Sequence, residues 1–314
     1  MQNPAPAPVP ATAPAPAKIQ PRAGEQAGPQ IIAYGSHPLQ AFDFYPAQPR
    51  AGDEQAIAAG ARLSAAASRP LIVFVHGGAW VSGDKSDSTG PAKIHHYTRK
   101  GYQFATINYR LLPEAEIEEQ AADVAAAVAA LLSRADTLGI DRDRVVLMGH
   151  SAGAHLAALV ATDPTYLGRS AMSPQDIAAA VLIDGPAFDV PAQIADAGPW
   201  LGMAYTLGFG NLVPRQRALS PVSHTQQPNA RAVLMVHVER DSARQARLLA
   251  DALRRHETPA RVLGFAGRGM QAHNAINYRL GRPDEPATGA VDNWLDEVLF
   301  PGRTTHTAPV PEQG

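Results

Sequence analysis

The 314-residue sequence contains no cysteine. A thiol nucleophile, a thiolate metal site and a disulfide framework are therefore excluded as sources of chemistry or stability. It also lacks an apolar run of the roughly 20 residues that a bilayer-spanning helix takes, so no transmembrane segment is expected. Charge of one sign is equally scarce. There are 27 Lys and Arg against 29 Asp and Glu, a formal net charge of -2, with no long basic or acidic block. A nucleic acid would find no basic footprint, and none is expected as a partner. What remains is ordinary globular composition, 45% hydrophobic and 18% charged, over a length that suits one large α/β domain or two small domains.

Residues 1–24 run in Pro-Ala alternation. Such a stretch cannot bury a face and reads as extended and disordered. It lacks the basic start and apolar stretch of a signal peptide but looks like the spacer left behind one, so a periplasmic or secreted protein is expected over a cytoplasmic one. The folded domain proper is expected over 25–302, with 303–314 a flexible polar tail.

Within the domain, Ile31 to Tyr34 and Leu39 to Tyr45 read as an antiparallel hairpin about Gly35, Ser36 and Pro38. Residues 50–69 are Ala- and Gly-rich and read as a surface connection with partial helix. Leu71 to Val75 is a continuous apolar run, the mark of a strand buried on both faces. Strands follow at Phe104 to Tyr109, Val145 to Met148, Val181 to Ile183, Ala232 to Val238 and Arg261 to Phe265. Helices are expected over 91–100, 117–133, 243–256 and 289–299. This alternation predicts a mostly parallel central sheet with helices on both faces. Residues 186–225, where Pro186, Pro191, Pro199, Pro214 and Pro221 mingle with Phe188, Trp200, Tyr205 and Phe209, read as an irregular cap insertion that lines a pocket.

The chemistry centres on Gly149-His150-Ser151-Ala152-Gly153, which follows an apolar strand and precedes a small-residue helix. That is a nucleophile elbow in its proper context, with small residues where the turn is tight and the helix passes close to neighbouring strands. A serine hydroxyl is a weak nucleophile near neutral pH, so it needs a base and a group that orients the base. His273, reached through the Gly-rich loop 267–272 after the last core strand, is the expected base. Asp241, just past the strand Ala232 to Val238, is the first choice for the acid, with Asp184 at the end of its strand as a competitor and Asp189 as a weaker one. An oxyanion needs preorganised N–H donors, and Gly77, Gly78 and Ala152 are assigned to that role. His76 is expected to brace the loop. Trp80 sits beside it and either contacts substrate or packs. Arg110 and Glu114 are expected to form a structural ion pair. His95 and His96, adjacent on a helix, face different ways and do not make a metal pair.

His76-Gly77-Gly78-Ala79-Trp80, Tyr109-Arg110-Leu111-Leu112-Pro113-Glu114 and Gly149-His150-Ser151-Ala152-Gly153-Ala154-His155-Leu156, in this order, resemble the α/β-hydrolase superfamily. More narrowly they are similar to the carboxylesterase group with an His-Gly-Gly oxyanion loop, which includes hormone-sensitive-lipase-like esterases and arylformamidases. Ala79 stands where the hormone-sensitive-lipase branch has a third glycine, and Ser-Ala-Gly-Ala-His-Leu is closest to the arylformamidase type. The resemblance implies an α/β-hydrolase fold and a catalytic triad of Ser151, Asp241 and His273. It further implies a cofactor-free, metal-free carboxylesterase acting on small or aryl acyl esters. Arylformamidase activity on N-formylkynurenine, feruloyl-type esterase activity and a catalytically silent binding module are the alternatives.

Overall fold

The computed structural model describes residues 28–49, 68–226, 228–240 and 242–302. The Pro-Ala segment, most of the connection 50–69 and the tail 303–314 lie outside the described residues. In chain order the elements are β1 (Gln30–Ala33), β2 (Ala41–Tyr45), β3 (Arg69–Val75), α1 (Pro91–Lys100), β4 (Gln103–Ile107), α2 (Ile117–Ser133), α3 (Ala135–Leu138), β5 (Ile140–His150), α4 (Ala152–Thr162), α5 (Pro164–Gly168) and β6 (Ala179–Ile183). There follow α6 (Val190–Asp196), α7 (Gly198–Phe209), α8 (Val213–Ala218), β7 (Val233–Glu239), α9 (Ser242–Arg255), β8 (Ala260–Arg268), α10 (Gly269–Arg279) and α11 (Pro286–Leu299).

The strands form one eight-stranded sheet in the order β1-β2-β4-β3-β5-β6-β7-β8. β1 and β2 make the antiparallel hairpin and β2 pairs antiparallel with β4, while every later pairing is parallel. Parallel neighbours need long crossovers, and the helices between strands supply them. Leu71 to Val75 are wholly buried, as a strand covered on both faces requires. Alternate residues divide between two cores. Leu71, Val73 and Val75 pack with α2 and α4 residues such as Val124 and Leu156, whereas Ile72 and Phe74 pack with Tyr97 of α1 and Trp294 of α11. Each such side chain removed from water contributes about 1.5–3 kcal/mol.

Local signals set the ends of the covering helices. α1 carries Pro91 in its first turn and ends at Gly101, whose φ of 91° closes a left-handed cap. α2 opens with a capping box in which Glu116 and Glu119 each serve the other's backbone.

Two stretches differ from the reading of the sequence. The insertion 186–225 is not irregular: it folds into α6, α7 and α8, each with a proline in its first turn. Proline there costs no hydrogen bond and presets φ, so residues read as breakers are starters. Arg215 of α8 then ties the insertion to the start of α2 through Glu116 and Glu118, both at 2.8 Å. The Gly-rich stretch before His273 is not a loop either. Gly267 (φ 124°) and Gly269 (φ 66°) bend the chain where β8 meets α10, and the residues after them are helical. Among the described residues, no helix is long and apolar enough to cross a membrane.

Candidate active site

Ser151 stands between the C-terminal end of β5 and the first residue of α4, with φ 53° and ψ -123°. A non-glycine residue held there costs on the order of 1–3 kcal/mol, which the surrounding packing must offset. The restraints are visible. The Ser151 N–H donates to Ile183 O of β6 at 2.9 Å. A Cβ on Gly149 would lie 2.3 Å from Gly153 O, and one on Gly153 would lie 2.2 Å from Val75 O, so both glycines are dictated by backbone approaching backbone.

β3 lies beside β5, which brings His76-Gly77-Gly78 to the same edge. The loop touches the bend: a Cβ on Gly77 would stand 3.0 Å from Ser151 Cβ. Among the described residues, none accepts a hydrogen bond from the backbone N–H of Gly77, Gly78 or Ala152, so these donors are uncommitted. His76 holds the loop in shape. Its buried ring donates from Nδ1 to Gly77 O at 2.7 Å and stacks on Tyr109 at a centroid distance of 4.5 Å. The Tyr109 hydroxyl in turn donates to His76 O at 2.9 Å. Burial lowers the His76 pKa, so the ring is a neutral strut.

His273 lies in the first half of α10 and is 4% exposed. Its Nδ1 is 2.6 Å from Asp184 Oδ2. Asp184 directly follows β6 at a left-handed φ of 47°. Its carboxylate also accepts from Val238 N at 3.1 Å, from Arg240 at 3.2 Å and from the Ser242 hydroxyl. Burial alone would raise its pKa, but the bonds from His273 and Ser242 and the Arg240 charge outweigh it and hold the carboxyl below its ordinary value.

The carboxylate facing the imidazole is therefore Asp184, which corrects the first choice of Asp241. Asp241 itself lies outside the described residues. The reason is topological. β6 is the immediate neighbour of β5, so its end is one strand from the serine, and the chain after β7 contributes donors to Asp184 instead of an acid. Asp189 serves elsewhere, capping α6 by accepting from Ala192 N at 3.0 Å.

Ser151, His273, Gly77 and Gly78 line one cleft of about 700 Å³, together with Asp84 and Asp87. Trp80 is not among its lining residues. It is 5% exposed and packs edge-on against His155, Tyr205 and Phe209, so packing takes the place of the substrate contact weighed for it. The ion pair expected between Arg110 and Glu114 is also absent. Arg110 grips Asp123 with Nε at 2.9 Å, and Glu114 meets His37 at 3.0 Å. His96 bonds Asp292 at 2.9 Å, away from this cleft. Sequence reasoning missed Ser242, Arg240 and His150, whose roles depend on contacts between distant strands and helices.

A mostly parallel sheet with a strained serine between strand and helix, and a carboxylate-bound histidine lining the same cleft, makes the chain an α/β hydrolase. Comparison with known proteins narrows the class. The BD-FAE family matches residues 62–253, more than half of the chain, and the protein belongs to that family of α/β-hydrolase esterases. Esterase LipC of Mycobacterium tuberculosis is 36% identical over 100 residues, covering 31% of this chain and 25% of that protein. The probable isoprenylcysteine alpha-carbonyl methylesterase ICMEL1 of Oryza sativa subsp. japonica is 30% identical over 127 residues, 40% of this chain and 26% of that one. Kynurenine formamidase of Drosophila melanogaster is 31% identical over 98 residues, 31% of either chain. The match thus spans only about a quarter to a third of these relatives' lengths. Among solved structures, Thermogutta terrifontis esterase 2 phosphonylated by sarin superposes with a TM-score of 0.69 at 21% identity, over 88% of this chain and 97% of that one. A putative thioesterase from Silicibacter sp. gives 0.64 at 24% identity, over 85% and 86%. These two share the fold.

Proposed function

We propose that this protein is a serine hydrolase that cleaves carboxylic esters of small or aryl acids through an acyl-enzyme. The Ser151 hydroxyl attacks the ester carbonyl while His273 Nε2 takes its proton. Asp184 holds Nδ1 and stabilises the imidazolium that forms. Negative charge on the tetrahedral oxygen is met by the N–H groups of Gly77, Gly78 and Ala152, each such donor contributing about 3 kcal/mol to lowering the barrier. His273 returns the proton to the departing alcohol, and water then releases the acid by the same route. The observation that carries this reading is the 2.6 Å bond to the buried Asp184 from His273, which lines the same cleft as Ser151. Replacing Ser151 by Ala is expected to abolish p-nitrophenyl acetate hydrolysis with the fold intact, and substantial remaining turnover would overturn the assignment.

The local likeness to a kynurenine formamidase favours a second reading, hydrolysis of a formyl amide. The cleft argues for esters. Asp84 and Asp87 line it, and among the described residues no Lys or Arg does. Burial raises the Asp84 pKa, but hydrogen bonds from Ser86 and Asn108 prevail and hold it at about 2, so this wall is anionic near neutral pH. An amino-acid substrate would bring its own carboxylate to that wall. Side-by-side turnover of short acyl esters and N-formylkynurenine separates the two, and a strong preference for the formamide would displace the ester reading. The Pro-Ala run at 1–24 supports a location outside the cytoplasm. Recovery of the native protein with cytoplasmic markers on cell fractionation would count against that.

A further inference from the structure

The acyl-transfer scheme leaves one buried group of the elbow without a task. His150, between Gly149 and Ser151, has its Nε2 3.0 Å from the backbone O of His273. The two imidazole rings lie 4.4 Å apart, centroid to centroid. A carbonyl can only accept, so Nε2 carries the hydrogen and His150 is the donor.

Asp184 grips one edge of the His273 ring and does not fix the backbone from which the ring projects. That backbone belongs to α10, which the chain enters through two left-handed glycines, Gly267 and Gly269. His150 ties it to the residue immediately before the serine. Nucleophile and base are thereby registered by a single hydrogen bond rather than through the length of the intervening chain. One turn further along, Lys93 of α1 donates from Nζ to the backbone O of Asn277 and, at 2.8 Å, to its Oδ1. Asn277 O is among the last carbonyls of α10, which lack helical partners, so this second strut also completes the helix end.

We propose that His150 is a positioning residue, whose bond from Nε2–H to the His273 carbonyl sets the distance and angle of the imidazole relative to the Ser151 hydroxyl. This rests on the reading of Ser151 and His273 as nucleophile and base. The charged and titratable groups facing His150 are His273, Lys93 and Asp184. Burial chiefly, then the electrostatic influence of His273 and Lys93, disfavours its protonation, and Asp184 opposes them without prevailing. A neutral ring is the form that can sit against His273 when the latter becomes an imidazolium.

The test compares His150→Phe, His150→Gln and His150→Asn, each taken as the folded fraction from gel filtration and checked by circular dichroism. Phe keeps the ring and removes the donor. Gln places an amide nitrogen where the imidazole has Nε2, and Asn places it one bond short. Loss of the bond is expected to lower kcat/KM for p-nitrophenyl acetate at least about 10-fold in the Phe and Asn variants, the scale of a misplaced reacting group. The acidic limb of their pH profiles should move to lower pH, because a loosened His273–Asp184 pair stabilises the imidazolium less. Gln should restore most of the rate and the limb. Should the Phe variant not fold, the Gln and Asn pair decides alone. Wild-type rates and limbs in the Phe or Asn variant, a rate loss without a limb shift, or equal behaviour of Gln and Asn would overturn the proposal. An active Ser151→Ala would sink the underlying reading instead, whereas an inactive one beside wild-type-like His150 variants would remove only the positioning role.

Discussion

Asp184 and His273 are 89 residues apart in sequence and 2.6 Å apart in the fold, each almost wholly buried. The aspartate arrives with four donors around it, so its charge is compensated before the histidine is protonated. Replacing Asp184 by Asn should lower kcat about a thousand-fold or more, since an amide cannot hold the required tautomer or stabilise the imidazolium. Replacing Asp241 by Asn should leave kcat within about 3-fold, because Asp184 already holds the imidazole. Steady-state kinetics on the two variants check this. A severe loss confined to the Asp241 variant would restore the first choice drawn from the sequence.

Much of this protein is legible without coordinates, and the failures are local. The helices over 91–100 and 117–133 end where Pro91, Gly101 and the Glu116–Glu119 box put them, because caps are encoded within a few residues. The serine elbow and the Gly-Gly loop are likewise written in adjacent residues. The acid is not. Choosing between Asp184 and Asp241 needs the strand order, and which carboxylate faces an imidazole 89 residues from the former is a tertiary fact. The prolines of the insertion misled for a related reason: a proline that starts a helix and one that interrupts a loop look alike until the following turn is seen.

The His76-Gly77-Gly78 loop is braced by a tyrosine that is not among the residues lining the cleft. Tyr109 donates to His76 O and stacks on the His76 ring. Tyr109→Phe keeps the stack and leaves His76 O with one donor fewer. It should cost about 1 kcal/mol of stability by urea unfolding and lower kcat several-fold by loosening Gly77 and Gly78. Unchanged stability together with unchanged kcat would show that the loop is held by other means.

Glycine 153 is fixed by distance rather than by φ. A methyl group there would come within 2.2 Å of Val75 O and 2.4 Å of His76 O, both backbone atoms that cannot swing aside. Gly153→Ala should therefore displace α4 from β3 and destabilise the protein by at least about 1–3 kcal/mol, the usual scale of overpacking. Thermal melting of the purified variant checks this, and a midpoint equal to that of the wild type would contradict it.

Three buried histidines make the fold sensitive to mild acid. Burial lowers the pKa of His76 and of His150, and lowers that of His155 to about 4 despite its bond to Leu219 O. In the unfolded chain each titrates near 6.5. Because the folded value lies below the unfolded one, the stabilisation is fully present above pH 6.5 and is lost as pH falls toward the folded value. For His155 alone this amounts to about 3 kcal/mol between pH 6.5 and 4. The melting temperature should drop steadily over that window, and His155→Gln should flatten part of the slope. A midpoint constant from pH 7 to 5 would contradict the assignment of neutral buried rings.

The central claim is that Ser151 is the nucleophile of an acyl-transfer site. Treatment with a fluorophosphonate followed by peptide mapping tests it most directly. One phosphonyl group per chain, on the peptide carrying Ser151 and missing from Ser151→Ala, is the predicted result. A modification mapped to another residue, or none at all on the folded wild-type protein, would contradict it.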